Sequence, residues 1–252
     1  MTRLSVNVNK LATLRNSREK NLPDVTAFAR KILGYGAHGI TVHPRPDGRH
    51  IRLPDVAGIH ELIKQWNQKA HEPVEFNIEG YPSDDFLALI ERIKPSQCTL
   101  VPDPPEALTS NAGWDLQKNE VFLKRVLAEL RRCSVRVSLF VEPATFHAEQ
   151  AEALNRLRPD RIELYTEAFS DNFHRPEREK VADDYLRVAK IAHDAGIGVN
   201  AGHDLNQENL GYLIGKIPWV DEVSIGHALI CEALEQGMES TVHAYLRILS
   251  AP

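Results

Sequence analysis

"LSVNVNKLATLRNSR", residues 4–18, decides the fold. Leu4, Val6 and Val8 alternate with Ser5, Asn7 and Asn9, so the run reads as a strand with an apolar face and a polar face. The residues after it read as a helix and contain no glycine. An open, doubly wound sheet built around a dinucleotide would pass from its first strand to its first helix through a glycine-rich turn. Without that turn, the reading moves from the open sheet to a closed barrel.

The rest of the chain repeats the strand-then-helix order. Further strands are expected at 39–43, 74–79, 97–101, 135–141, 161–165, 197–201 and 222–226. Helical spacing of apolar residues lies between them. Val56, Ile59, Leu62, Ile63 and Trp66 mark 55–68, and Val121, Phe122, Val126, Leu127 and Leu130 mark 116–132. Val181, Tyr185, Leu186, Val188 and Ile191 mark 178–194. Eight strands alternating with helices predict a single (β/α)8 TIM barrel with parallel strands, one domain over 1–252. That length suits one such barrel, which commonly runs to roughly 250 residues.

Composition narrows the function. A net charge of −5 with no basic stripe argues against nucleic acid as a partner. No apolar run approaches the ~20 residues a membrane-spanning helix needs, and "MTRLSVNVNK" lacks the apolar segment of a signal peptide. Cys98, Cys133 and Cys231 are few and far apart, so they read as reduced, buried thiols of a cytoplasmic protein.

In a barrel the outer strand face meets helices and must be apolar, so the polar faces turn inward. This places Asn7 and Asn9, then Thr41 and His43, then Glu75, Asn77 and Glu79 inside, with Asn9, His43 and Glu79 at the carboxyl ends. Barrel enzymes keep their active sites at that end. A single strand-end His or Glu is ordinarily a satisfied structural residue; three neighbours in register read as a site. "VNAGHDL" (199–205) and "VSIGHAL" (223–229) each close a strand with Gly-His. The second runs into a helix whose first N–H groups suit a phosphate. After strand 2, "ITVHPRPDGRHI" (40–51) hangs Arg45, Arg49 and His50 over the same mouth, and Arg15 and Arg18 add to that rim. Arg49 and Arg52 read as solvated charge. Glu142 and Glu163 read as standing behind the site.

These stretches, together with "NIEGYP", "LVPDPPEALTS" and "RIELYTEAF", resemble the pyridoxine 5′-phosphate synthase family of vitamin B6 biosynthesis, from residue 4 to about residue 230. The resemblance implies a TIM barrel assembled as a homo-octamer. It also implies two small phosphorylated substrates, 1-deoxy-D-xylulose 5-phosphate and 3-amino-1-hydroxyacetone 1-phosphate, and no metal or redox cofactor. It casts His43 as proton acceptor, Glu79 as central acid/base and His203 as proton donor. Arg45, His50 and Thr109 match positions that hold the deoxyxylulose phosphate. Asn7, Arg18, Asp204, Gly226 and His227 match those that hold the amino-ketone phosphate; Asp204 stands where some members have glycine. Asn9 and Lys10 stand where many members read Asp-His, and Lys10 is expected to take over as a ligand of the deoxyxylulose phosphate. Two rivals remain at this level. One is a metal-dependent sugar-phosphate isomerase or epimerase using His43, Glu79, His203 and His227. The other is a non-catalytic sugar-phosphate binding protein.

Overall fold

The computed structural model describes residues 1–18, 20–102 and 112–250. Eight parallel strands close on themselves in sequence order. They are β1 (Arg3–Asn7), β2 (Gly39–Val42), β3 (Glu75–Gly80), β4 (Gln97–Leu100), β5 (Arg136–Val141), β6 (Arg161–Leu164), β7 (Gly198–His203) and β8 (Val220–Ile225). Around them run α1 (Asn9–Asn16), α2 (Val25–Gly34), α3 (Leu53–Asn67), α4 (Asp84–Ile93), α5 (Glu120–Arg132) and α6 (Ala148–Leu157). The ring is completed by α7 (Glu167–Asn172), α8 (Arg178–Asp194), α9 (Leu210–Lys216), α10 (His227–Gln236) and α11 (Met238–Ser250). Among the described residues no helix is long and apolar enough to cross a membrane.

The expected alternation holds around the barrel. Leu4, Val6, Ile40, Val42, Phe76, Ile78, Val137 and Leu139 face the helices and are buried. The hydrophobic core is this shell between strands and helices. The bore is of another kind. TIM barrels generally fill it with branched aliphatic side chains; here hydroxyls, amides and charges occupy it. Registers Thr41↔Asn77, Glu79↔Thr99 and Thr99↔Ser138 bring the inward residues of neighbouring strands level. The Ser5 and Thr41 hydroxyls are hydrogen-bonded at 2.7 Å, the Asn77 amide donates to Thr41 at 3.4 Å, and Thr99 Oγ1 lies 3.2 Å from both Asn77 Oδ1 and Glu163 Oε2. At the amino-terminal end Glu75 pairs with Arg3 at 3.1 Å and with Arg136, and Glu222 accepts from Gln97 at 3.3 Å and faces Arg161 at 3.7 Å. Buried polar groups are costly unless paired, and here they pair largely with one another.

Three local expectations give way. β1 ends at Asn7, and Asn9 is the first residue of α1. α5 begins only at Glu120, which leaves Val121 exposed while Leu123, Val126, Leu127 and Leu130 carry its buried face. Of the three free cysteines, only Cys98 is buried, with its thiol pushed up by desolvation; Cys231 is exposed.

Candidate active site

The bore opens at the carboxyl ends of the strands into a cavity of about 250 Å³. Asn7, His43 and Glu79 reach it from the first three strands, as the alternation predicts, and Asn9, Lys10, Arg45 and His50 join them from the following loops and α1. His203, Asp204, Gly226 and His227 close the far side.

Two asparagines tie the first three strand ends together. Asn7 accepts the Asn9 N–H on Oδ1 at 3.0 Å and donates its amide to Glu79 Oε2 at 3.3 Å. Asn9 in turn accepts the His43 N–H at 2.9 Å. The side chains of residues 7 and 9 therefore aim Glu79 and fix the backbone at His43.

His43 Nδ1 stands 4.0 Å from Glu79 Oε2, beyond hydrogen-bond length. Burial holds the His43 imidazole down to about 3, helped by His50 and Arg45, so the ring is neutral near pH 7. His50 is held down to about 4, first by burial and then by the charges of Arg45 and Lys10. Its Nδ1 accepts the Ile51 N–H at 2.9 Å, which leaves the proton of the neutral ring on Nε2. Arg45 is buried against this corner, and Lys10 is exposed at its edge. Arg49, expected in solvent, also lines the cavity and holds Asp47 through Nε at 2.6 Å. The corner is cationic and suits an anion.

Across the cavity, Gly226 precedes α10, whose amino-terminal end carries the partial positive charge of the helix. A β-carbon at Gly226 would stand 3.1 Å from Asn7 Cβ, a tight contact, so a side chain here would press on Asn7. His227 begins the helix, with Nε2 3.6 Å from Cys231 Sγ.

Glu163 is the residue that the sequence reading undervalued. It is buried in the cavity floor, and desolvation raises its carboxyl to about 7 against the Thr99 hydrogen bond and the His203 charge. Such a group can exchange a proton near neutrality. Its signal lay in "RIELY", where Arg161, Glu163 and Tyr165 share the inward face. Glu142 stays out of the cavity and accepts the Ala144 N–H at 3.3 Å.

Other expected residues do not join the site. Arg15 is buried and turned away from the mouth, paired with Asp55 and donating to His50 O at 3.2 Å. Arg18 is exposed past the end of α1 and does not line the cavity. Arg52 is exposed as expected, and Thr109 lies outside the described residues. Among the described residues no group of three His, Cys, Asp or Glu side chains is placed to hold a metal ion.

Residues 4–251 match the family model "Pyridoxal phosphate biosynthesis protein PdxJ". Pyridoxine 5′-phosphate synthase of Cytophaga hutchinsonii is 48% identical over 249 residues, covering 99% of each chain. That of Parabacteroides distasonis is 46% identical over 251 residues, covering 100% of each. A crystal structure of tryptophan synthase from M. tuberculosis superposes with a TM-score of 0.66 at 13% identity, covering 100% of this chain and 93% of the other, a likeness of fold alone.

Proposed function

The chain belongs to the PdxJ family of pyridoxal phosphate biosynthesis proteins, and on that premise we infer that it acts as a pyridoxine 5′-phosphate synthase. It joins 1-deoxy-D-xylulose 5-phosphate to 3-amino-1-hydroxyacetone 1-phosphate and releases phosphate and water. The observation that carries the reading is one cavity in which a neutral imidazole and two carboxylates lie between two anion-binding ends.

The chemistry needs proton transfers at every step. The amine of one substrate attacks the ketone of the other, water leaves as an imine forms, phosphate is eliminated, and a carbon–carbon bond closes the ring. In this reading Arg45, His50 and Lys10 hold the deoxyxylulose phosphate. Gly226, His227 and the amino-terminal end of α10 hold the amino-ketone phosphate, with Asn7 beside them. His43, neutral at working pH, accepts a proton. Glu79, aimed by Asn7, serves as acid and base at the centre. Glu163 supplies a second carboxyl that titrates near neutrality, and His203 donates to the departing oxygen. Thr109 takes its family role as a phosphate ligand by analogy, and Arg18, which stands outside the cavity, is assigned none. Assembly as a homo-octamer and a cytoplasmic location complete the reading, supported by the family resemblance.

The test is incubation of the protein with both substrates, followed by detection of pyridoxine 5′-phosphate and of released phosphate in equal amounts. Absence of the product overturns the reading. Activity that persists in a chelator separates it from a metal-dependent isomerase, and light scattering that reports a monomer refutes the octamer.

A further inference from the structure

His203 reaches the cavity against the alternation of its strand. In β7, Gly198, Asn200 and Gly202 face the bore, and Val199 and Ala201 face the helices, so residue 203 falls on the outward parity. Its backbone instead takes φ +53°, a left-handed conformation uncommon for any residue with a side chain. The turn brings two consecutive side chains together: His203 Nδ1 stands 2.6 Å from Asp204 Oδ2. Neighbours hold this arrangement. The Tyr165 ring packs edge-on against the imidazole at 5.0 Å between centroids. The carbonyl of Asp204 accepts from Ser170 Oγ at 3.1 Å and Asn209 Nδ2 at 3.3 Å, and Thr166 donates to the carbonyl of Gly202.

We propose that Asp204 is a positioning residue for His203, fixing the ring so that Nδ1–H donates a hydrogen bond to the carboxylate and Nε2 alone serves the cavity. The assignment deepens the synthase reading and rests on it for the role of His203 as donor. A protonated His203 then offers one proton to the reaction from Nε2, and after transfer the ring is left as the Nδ1–H tautomer, still bonded to Asp204. This logic is shared with other orienting carboxylates beside catalytic histidines. It also separates two functions at residue 204. A carboxylate is a poor neighbour for a phosphate, so its side chain serves the histidine, and any contact with the amino-ketone phosphate comes from its backbone N–H.

Asp204→Asn and Asp204→Gly test this. Both remove the charged acceptor; the first preserves shape, and the second loses the side chain altogether. Both are expected to lower kcat about ten- to a hundredfold, part of the ~10²–10⁴ that a positioned acid supplies. KM for the amino-ketone phosphate is expected to stay within about twofold. Nitrogen-15 NMR of histidine-labelled protein should show Nδ1 of His203 protonated in the parent chain and no longer held in that tautomer in either variant, with His203→Asn assigning the signal. A rise in KM with kcat held, or a His203 signal unchanged by both variants, overturns the proposal. The tautomer is read without turnover, so a parent chain that makes no pyridoxine 5′-phosphate sinks the synthase reading and leaves the NMR result to decide on Asp204.

Discussion

Asn7 donates an amide N–H to Glu79 Oε2 at 3.3 Å and so aims the carboxylate within the cavity. Glu79→Gln keeps shape and the bore intact but cannot cycle a proton. Turnover is expected to fall by about 10²–10⁴ with substrate binding retained, measured as kcat against the Kd of each substrate; near-normal turnover removes Glu79 from the mechanism. His203→Asn should stall the reaction after the substrates have joined, and rapid-quench trapping should show the joined species accumulating. Finding only free substrates contradicts that role. Lys10 belongs to the exposed edge of the cationic corner, where solvent screens its charge. Lys10→Met should raise KM for the deoxyxylulose phosphate by about two- to fivefold and leave the amino-ketone constant alone. Steady-state kinetics that move neither constant return Lys10 to the surface.

Between elements, two contacts decide how the mouth is held. Arg15 ties α1 to α3 through a two-pronged pair with Asp55, one prong at 2.9 Å, and both groups are largely out of solvent. Breaking a buried pair by removing one partner costs about 3–5 kcal/mol. Arg15→Met should therefore lower Tm by roughly 10 °C for a chain of this size, read by calorimetry. A change of a degree or less would mean that the pair carries little. The turn from β8 into α10 is the second contact. Gly226→Val would press a branched side chain against Asn7, whose β-carbon already lies 3.1 Å from where the new one would be. The amino-ketone phosphate is expected to lose far more affinity than the deoxyxylulose phosphate, and equal loss of both with the barrel intact argues against placing a phosphate on α10. What was legible in the sequence at this scale was parity. Alternation puts Asn7, His43, Glu79 and Glu163 on the inner face, because a strand's geometry is local. It gives the wrong face for His203, because one left-handed residue reverses it. Position after β1 suggests the rim for Arg15, but its partner Asp55 lies 40 positions along the chain and is chosen by how α1 and α3 pack. Parity within "RIELY" gives the face of Glu163 but not its depth, because burial depends on how the neighbouring strands close over it.

For the molecule as a whole, buried titratable groups set opposing pH limits. His43 and His50 sit near 3 and 4 in the folded state, below an ordinary histidine near 6.5. Between those values the unfolded chain binds protons that the native state refuses, so stability falls as pH drops from about 6.5 toward 3. Glu163 and Glu222 run the other way. Burial raises both to about 7 from 4.5, so their contribution is complete below 4.5 and is lost as pH rises through 7. Urea midpoints should form a broad maximum near pH 5–6, and Glu222→Gln should flatten its alkaline side. A midpoint that climbs steadily from pH 5 to 8 would show that these carboxyls ionise freely. The polar bore has a thermal consequence as well. Exposing apolar surface on unfolding raises heat capacity, whereas exposing polar surface lowers it, and the usual balance is about 12–15 cal/mol/K per residue. A barrel that buries Ser5, Thr41, Asn77, Gln97, Thr99, Ser138, Asn200 and Ser224 in its centre releases polar surface where other barrels release aliphatic surface. Its unfolding should fall at or below the low end of that range. The curve of stability against temperature is then shallow, and the protein keeps a nearly constant margin between a cold and a warm cell.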